Sequence, residues 1–403
     1  MNNINDKNQK NNCTSCGMCS AVCPKHAIKI ILNEDWFYRP IIDEKLCINC
    51  GICKKICYKY DENYKEEKIN IAPVCLSAKN KNKDELNNAS SGAVSIELMR
   101  ACLELGYKVV GVKYDYEKDI AISKIASKEE ELLEFRGSKY FQSYTEETFK
   151  QIIKDNSEQR YAIFGTPCQI YAFSKIEELK KIKDKFLLID IFCHGCPSIN
   201  LWSKYIQDIK KRNKISTFDL IKFRSKTHSW HEFCFDFKKD NKQFSSNKYN
   251  NPFYELFFGM DIMNEACYNC IARSSIIKTD IRLGDFWGWQ YDLDKEGVSA
   301  VVINSERGKE LFNKVSDKFI TKEFSFEEVI EAQSYGKEHK YDKQRRLRTL
   351  KNLRSNLSMI DIQKEYRKML PVSSSIKRVL KNLSKRFLGD FYIKLRQSKH
   401  KKV

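Results

Sequence analysis

Two runs of four cysteines near the start of the chain constrain its fold more than any other feature of the sequence. The chain has 403 residues and sixteen cysteines, and its first residues are polar, so we expect no secretory signal and a cytoplasmic location. Thiols in the cytoplasm are kept reduced, which argues against a disulfide framework. Within each run, three thiolates on one curled loop are close enough to hold one metal centre. The runs are Cys13, Cys16, Cys19 and Cys23, followed by Pro24, and Cys47, Cys50, Cys53 and Cys57, followed by Tyr58.

Both runs have the spacing of bacterial ferredoxins that hold two [4Fe-4S] clusters. In this pattern the fourth cysteine of each run reaches the other cluster. We therefore assign Cys13, Cys16, Cys19 and Cys57 to one cluster and Cys47, Cys50, Cys53 and Cys23 to the other. A pair of zinc sites is the alternative, because zinc also uses Cys-x2-Cys pairs, but two complete runs of identical spacing favour clusters. Tyr58 replaces the usual proline, which we expect to affect helix entry rather than ligation.

The basic excess of the chain is concentrated near its C-terminus. The formal net charge is +19, and residues 340–354 and 376–403 contain most of it. This distribution argues against nucleic-acid binding across the whole protein. The longest apolar run, near residues 186–192, is far shorter than the roughly 20 residues that span a bilayer, so we expect no transmembrane helix.

The basic tail contains an amphipathic pattern that allows two interpretations. An apolar stripe runs along one face of the predicted helix, and lysine and arginine occupy its other faces. The pattern is typical of peripheral binding to an anionic inner membrane surface, and it fits equally well a helix that docks on the protein's own core or on a partner subunit. The apolar stripe consists of Ile376, Val379, Leu380, Leu383, Phe387 and Phe391.

A second domain begins after a stretch at residues 69–83 that we interpret as a linker. The turn Ser90-Ser91-Gly92 precedes an apolar helical stripe over residues 94–105, and Gly106 stands where a C-terminal cap belongs. The turn offers N–H donors that would suit the diphosphate of a flavin nucleotide. An ordinary helix N-cap is the alternative, and the residues alone favour it.

Four more cysteines follow predicted strands or a predicted hairpin. Strands at residues 108–114, 161–164 and 186–192 are separated by helix-length segments, which indicates parallel βαβ units with their C-terminal loops at one sheet edge. Cys168 and Cys193 fall in two of those loops, and Cys267 and Cys270 lie beyond a predicted hairpin at residues 218–237. These four thiols predict a third cluster, with Cys196 as an alternative to Cys193. Cys102 and Cys234 fit the simpler interpretation of buried structural cysteines.

These residues together resemble the beta-subunit family of coenzyme F420 hydrogenase/dehydrogenase over roughly residues 10–340. The departures are Ala93, where many members have a second glycine after the Ser-Gly pair, and Cys196, where an aliphatic residue is common. The motifs that carry the resemblance are the ferredoxin runs, Ser90 to Gly92, Gly137 to Ser143, Gly165 to Gln169, Cys193 to Gly195, Phe223 to Lys226, Cys267 to Cys270, and Asp280 with Gly284 to Gly288.

The resemblance implies an α+β protein: a ferredoxin-like dicluster domain, an α/β flavin-binding domain and a basic helical tail. It implies FAD in the α/β domain, a further [4Fe-4S] cluster near it, and hydride exchange with a two-electron partner. The corresponding boundaries are 1–68 for the ferredoxin domain, 69–160 and 161–340 for the two parts of the family domain, and 341–403 for the tail. The flavin-site candidates are Ser90, Ser91, Gly92, Ser138, Lys139 and Gln142.

The function predicted from these elements is an iron-sulfur flavoprotein oxidoreductase. A ferredoxin-like donor or partner subunit supplies the electrons. The acceptor is a deazaflavin or another small organic molecule, for which surface-polysaccharide metabolism is one candidate source. His194 and Lys139 are candidate proton donors, and Asp285 is expected to line the site. His194 has a simpler alternative role in ordering the cluster loop. The alternative functions are a non-catalytic electron-carrier subunit and a zinc-bound scaffold.

Overall fold

The computed structural model describes residues 2–5, 12–65, 72–182, 184–247 and 250–371. Within them, strands form a two-stranded, a three-stranded and an eight-stranded sheet. The strands are β1 (Ile28–Leu32), β2 (Tyr38–Ile42), β3 (Val74–Asn80), β4 (Tyr107–Asp115), β5 (Ile120–Ala126), β6 (Arg160–Phe164), β7 (Phe186–Ile191), β8 (Leu220–Ser225), β9 (Cys234–Lys239), β10 (Lys242–Asn247), β11 (Ile281–Asp285), β12 (Ser299–Ile303) and β13 (Phe319–Glu323).

Helices cover the sheets and connect most of the strands. The described helices are α1 (Met18–Ala21), α2 (Ile52–Lys55), α3 (Lys83–Asn88), α4 (Val94–Glu104), α5 (Glu129–Leu132), α6 (Glu146–Lys154), α7 (Pro167–Lys180), α8 (Ile199–Asn213), α9 (Pro252–Gly259), α10 (Glu265–Tyr268), α11 (Glu306–Asn313), α12 (Phe326–Glu331), α13 (Lys343–Arg354) and α14 (Met359–Lys368). The fold is therefore mixed α+β, as the sequence predicts.

The large sheet positions the site because its central strands are parallel. Its order is β13-β3-β12-β11-β7-β6-β4-β5, and β4, β6, β7 and β11 run parallel to one another. The helix α7 connects β6 to β7, so the predicted βαβ unit is confirmed. The loops after β6, β7 and β11 consequently lie at one edge of the sheet, where open α/β sheets bind ligands.

One expectation about this sheet is wrong. Residues 74–80 form β3, which pairs with both β12 and β13, whereas the sequence predicts a linker there. The error has a physical cause: strand pairing here is long-range, and a local apolar pattern does not report it.

The N-terminal domain contains two matching half-units. Gly17 and Gly51 adopt left-handed backbone conformations, with φ of 82° and 76°, immediately before α1 and α2. A side chain at Gly17 would lie 2.1 Å from the Thr145 hydroxyl oxygen, and one at Gly51 would lie 2.4 Å from the Asn2 side-chain nitrogen. Glycine is therefore required in both loops for the sharp turn and for close packing.

The last two described helices pack on the rest of the protein. Leu350 and Leu353 of α13 and Met359, Ile362 and Tyr366 of α14 are buried in the same apolar cluster as α8 and α9. Arg345 forms an ion pair with the buried Asp261 at 2.5 Å. The predicted basic stripe at residues 376–391 lies outside the described residues. Among the described helices, none has the length and apolarity that a membrane span needs.

Glu146 at the start of α6 joins the N-terminal domain to the large sheet. Its carboxylate accepts hydrogen bonds from the Ser20 hydroxyl at 2.6 Å, the Ile30 backbone N–H at 3.0 Å and the Tyr144 hydroxyl at 2.9 Å. The Lys150 ammonium forms an ion pair with it at 2.5 Å. Burial raises the pKa of Glu146, but these partners outweigh burial and hold the pKa below its ordinary value.

Replacement of this carboxylate is expected to weaken the junction between the domains. Glu146→Ala should lower the free energy of unfolding by about 3 kcal/mol, because it leaves buried donors unpaired, whereas Glu147→Ala, at an exposed neighbour, should change it by less than about 0.5 kcal/mol. Anaerobic denaturant unfolding measures both. Since the folded-state pKa is depressed, the wild-type advantage should be complete above about pH 5 and shrink as the pH falls through the carboxyl range. Equal stability of the two variants would contradict the assignment.

Candidate functional site

The structure gathers the N-terminal cysteines into two groups across the sequence runs. Cys23 lines one small cavity together with Cys47, Cys50 and Cys53. Burial raises the pKa of Cys57 to about 12, and the thiols of Cys13 and Cys53 act in the same direction. The fourth cysteine of each run thus lies beside the other run, as the predicted exchange requires. Ligation itself stays a prediction.

Backbone and amide donors point at several of these sulfur atoms. The N–H of Ser15 donates to Cys13 Sγ at 3.4 Å, and the N–H of Ala27 donates to Cys23 Sγ at 3.3 Å. The Asn3 side-chain amide donates to Cys47 Sγ at 3.5 Å. Such donors stabilise negative charge on sulfur. Among the residues that the structure describes, no three or more His, Cys, Asp or Glu side chains are arranged to hold a single metal ion.

The thiols of the predicted third centre converge beneath the sheet edge. Cys168 lies in the first turn of α7, Cys193 follows β7, and Cys267 and Cys270 lie in and after α10. Burial raises the pKa of Cys168 to about 12, and the nearby Cys270 and Cys193 thiols contribute to the rise. The structure therefore brings together the four cysteines that the sequence selects from three distant segments.

Cys196 lies at the same centre: burial raises the pKa of its thiol well above the ordinary value, and the Cys267, Cys193, Cys168 and Cys270 thiols raise it further. Burial raises the pKa of Cys193 to about 11, and the backbone N–H of Gly195 hydrogen-bonds that thiol and opposes the rise. The backbone N–H of Cys196 hydrogen-bonds the Cys267 thiol. Gly195, with φ of 113°, packs so closely on Cys267 that a side chain would lie 3.2 Å from the Cys267 Cβ. The loop thus donates to two sulfur atoms and carries both Cys193 and Cys196, so Cys196 stays the alternative to Cys193.

The first N-terminal group lies next to the third centre. Burial raises the pKa of the Cys16 thiol, and the Cys168 and Cys57 thiols raise it further. The Tyr58 hydroxyl lies 3.3 Å from Cys270 Sγ. The thiol groups therefore form a continuous series from the N-terminal domain to the edge of the large sheet.

A cavity of about 1090 Å³ begins where this series ends. Cys193, His194 and Cys196 form part of its wall. Other parts of the wall come from the ends of β4, β6, β7 and β11, the N-terminus of α4, and aromatic residues of α9. The cavity is large enough for a dinucleotide-sized ligand, since small-molecule sites occupy roughly 300–1,000 Å³.

Most flavin-site candidates line this cavity. Gly92 does not line it: its N–H donates to the Ser299 hydroxyl at 2.9 Å, and it holds the turn against β3 and β12. Helix α4 begins after Ala93, which is left-handed and provides no side-chain cap, so the two serines are not an ordinary N-cap. The lining candidates are Ser90, Ser91, Ser138, Lys139 and Gln142.

Lys139 lines the cavity, but its amine is held by backbone carbonyl groups. It donates to the carbonyl oxygens of Val112 at 2.9 Å, Glu134 at 3.2 Å and Arg136 at 3.1 Å. Burial lowers the pKa of Lys139 to about 7, although Glu134 acts in the opposite direction. These contacts fix the loop that carries Ser138 and Gln142.

Asp285 at the end of β11 anchors a buried arginine in the cavity wall. One carboxylate oxygen accepts a hydrogen bond from the Trp230 indole at 2.9 Å, and the other forms an ion pair with Arg224. The guanidinium lies over the ring of Phe233 at 4.6 Å and that of Trp287 at 5.1 Å. The Nε and Nη2 atoms of Arg224 have no hydrogen-bond partner among the described residues.

His194 presents one ring nitrogen that is not used by the surrounding protein. Its Nδ1 lies 3.0 Å from the Ser334 hydroxyl oxygen, whereas its buried Nε2 has no hydrogen-bond partner in the described part of the chain. Burial lowers the pKa of His194 to about 4, and the charge of Arg273 contributes. The ring is therefore neutral at physiological pH in this environment.

Sequence reasoning missed three residues of this region. Glu146 joins the domains, Arg273 lies buried behind the third centre, and the Tyr58 hydroxyl contacts Cys270. The presence of Tyr58 in place of a proline was the one available signal. The other two residues are ordinary charged residues in sequence, and only the fold reveals their burial.

Comparison with known proteins gives two family matches. Residues 158–327 match the model that describes the C terminus of the beta subunit of coenzyme F420 hydrogenase/dehydrogenase. Residues 9–29 match the model of a 4Fe-4S binding domain. The predicted resemblance to this beta-subunit family with an N-terminal iron-sulfur domain is therefore confirmed.

A solved structure is also similar to this chain. It is a xenon derivative of the F420-reducing [NiFe] hydrogenase complex from Methanosarcina barkeri, with 19% sequence identity and a TM-score of 0.46. The match covers 74% of this chain and 93% of that chain. No curated protein sequence matches.

The turn at Gly92 provides a test of how the cavity wall is built. A Cβ there would lie 2.1 Å from the Ala78 carbonyl oxygen and 2.7 Å from the Ser299 backbone nitrogen. Gly92→Ala should lower the free energy of unfolding by about 3 kcal/mol through this backbone clash. Gly106→Ala is the matched control: its φ is 78° with no atom within 4 Å, so only the left-handed backbone cost of about 1 kcal/mol applies. Denaturant unfolding of both variants measures the difference, and equal losses would contradict the close approach.

Proposed function

We propose that this chain, whose residues 158–327 match the C-terminal part of the beta-subunit family of coenzyme F420 hydrogenase/dehydrogenase, is an iron-sulfur flavoprotein oxidoreductase. In this proposal a ferredoxin-like protein or partner subunit donates electrons, and a deazaflavin or another small organic molecule accepts them. Two N-terminal [4Fe-4S] clusters, a third cluster and FAD are the resident groups. The clusters supply one-electron transfer, and FAD supplies conversion between one-electron and two-electron transfer.

The observation that carries this proposal is the continuous arrangement of thiol groups and cavity. Cys16 lies beside Cys168, and Cys193 is both a member of the third group and part of the cavity wall. An electron-carrier domain alone would not need a large cavity next to its innermost thiols. The arrangement therefore favours an enzyme that binds an organic ligand where the series of thiols ends.

Arg273 supports the presence of an anionic group at the third centre. Its guanidinium is 3% exposed and donates to the carbonyl oxygens of Cys267 at 2.7 Å, Tyr268 at 3.3 Å and Lys337 at 2.6 Å. Its Nε is buried and unpartnered, and no carboxylate forms an ion pair with it in the described ranges. A buried cation is costly unless a negative charge lies nearby. A cluster with four thiolate ligands would supply that charge, so the residues fit the group.

The cavity fits FAD through the polar atoms that the protein leaves unused. Arg136 Nε, Gln169 Nε2 and the two guanidinium nitrogens of Arg224 are buried, and none has a partner among the described residues. The N-terminus of α4, with Val94 and Ser95 in the wall, adds backbone donors and a positive dipole end. These donors suit a diphosphate and the oxygen and nitrogen acceptors of a flavin ring.

Three residues in the wall have proposed roles, one at the ligand and two in positioning its surroundings. His194 is the proposed proton donor or acceptor, because its Nε2 is the ring atom left unpartnered in the described part of the chain. Asp285 holds the Arg224 guanidinium in one orientation. Lys139 fixes the loop of Ser138 and Gln142 through the three backbone carbonyls that its amine contacts.

Cofactor content tests this function directly. Anaerobically purified protein should contain about twelve iron atoms, an equal amount of acid-labile sulfide and about one released FAD per chain. The protein should contain far less than one zinc atom per chain. About eight iron atoms without flavin would contradict the proposal and favour the electron-carrier role.

Two cysteine variants locate the third centre in the same assay. Cys193→Ser should lose about four iron atoms per chain, whereas Cys196→Ser should keep all of them. The two residues are three positions apart on one loop and both line the cavity, so they form a matched pair. The reverse result would make Cys196 the ligand.

A further inference from the structure

Tyr58 occupies the position immediately after the last cysteine of the second run. The first run has Pro24 at the matching position. Tyr58 begins a 3-10 turn, Tyr58–Tyr60, and its side chain is only 3% exposed. A large buried side chain at this position therefore extends from the N-terminal domain into the rest of the protein.

The Tyr58 hydroxyl reaches the third group of cysteines. Its oxygen lies 3.3 Å from Cys270 Sγ, across 212 positions of sequence. Because Tyr58 follows Cys57 directly, covalent bonds and this one hydrogen bond connect Cys57 sulfur with Cys270 sulfur. Cys57 belongs to the first N-terminal group and Cys270 to the third.

Two more tyrosines hold the Tyr58 ring in place. The ring packs edge-on against Tyr64 at 6.1 Å and Tyr171 at 5.8 Å between ring centroids. The Tyr171 hydroxyl donates to Asp61 rather than to sulfur. Tyr58, Tyr64 and Tyr171 share one apolar cluster with Cys168, Cys270 and Ala272. The three rings therefore pack together beside the third group of cysteines.

The direction of the hydrogen bond follows from the chemistry of the pair. A thiolate ligand only accepts hydrogen bonds, so the phenol must be the donor when Cys270 is ligated. A phenol carries one O–H donor and has an ordinary pKa of about 10, so it has a proton to donate at neutral pH.

We infer that Tyr58 is a positioning residue that connects the first N-terminal centre to the third and raises the reduction potential of the third by donating a hydrogen bond to Cys270 Sγ. Hydrogen bonds to cluster sulfur favour the reduced, more negative state, which is the physical basis of the effect. The inference rests on the proposed function, because it requires a cluster at the third centre. It also gives a role to Tyr58, which stands where the ferredoxin pattern has a proline.

The test compares two tyrosine-to-phenylalanine variants of the full, cofactor-loaded chain. Tyr58→Phe removes the hydroxyl that contacts Cys270 Sγ and keeps the ring. Tyr171→Phe, in the same cluster of rings, removes a hydroxyl that donates to Asp61 instead. Anaerobic redox titration followed by electron paramagnetic resonance gives the midpoint potential of each centre. Rapid mixing with a one-electron reductant gives the rate at which the third centre is reduced.

Tyr58→Phe should shift the midpoint potential of the third centre to more negative values and slow its reduction, with the two N-terminal potentials unchanged. Tyr171→Phe should leave all three potentials as in the wild type. Loss of the third centre in Tyr58→Phe alone would also support a positioning role. Unchanged potentials in Tyr58→Phe at full iron content, or equal effects of both variants, would overturn the inference. About eight iron atoms in the wild-type protein would instead overturn the proposed function itself.

Discussion

Burial of sulfur groups from distant parts of the chain at one interface is the constraint on which the rest of this structure depends. The N-terminal loops, the first turn of α7, the loop after β7 and the segment around α10 all bring cysteines together beside the large sheet. Parallel pairing of β6, β7 and β11 makes this possible, because it places the loops that follow these strands at one edge. The large cavity opens at the same edge, so sheet topology places the thiols and the ligand site side by side.

Polar residues behind the cysteines stabilise this arrangement through charge. Arg282 and Asp190 form a buried ion pair whose guanidinium also donates to the carbonyl oxygens of Arg273 and Ser275, which follow Cys270. Burial of such groups is costly unless each has partners, and here backbone carbonyls supply most of them. The segment after Cys270 is thus held by hydrogen bonds as well as by packing.

The sequence predicts the metal-binding part of the site better than the rest of the fold. Cysteine spacing is a local pattern with a direct chemical meaning, so both runs and the Cys267–Cys270 pair are visible without a structure. The helix at residues 94–104 and the parallel strands follow from local periodicity in the same way. The strand β3 was missed because its pairing with β12 and β13 is long-range. Arg273 and Glu146 were missed because burial of a charged residue depends on what the fold packs around it. The position of the Ser90 to Gly92 turn is predicted from the sequence, because its residues form a local pattern. The role of Gly92 is not, because it depends on packing against β3 and β12.

A reductive titration tests the central claim, that a series of one-electron centres ends at a two-electron converter. Anaerobic protein is titrated with a strong reductant while absorbance reports the reduction of each chromophore. The account predicts about five electron equivalents per chain, one for each of three clusters and two for FAD. About two equivalents, with no flavin bleaching, would contradict it, because the large cavity would then contain no redox group and the chain would be a dicluster electron carrier.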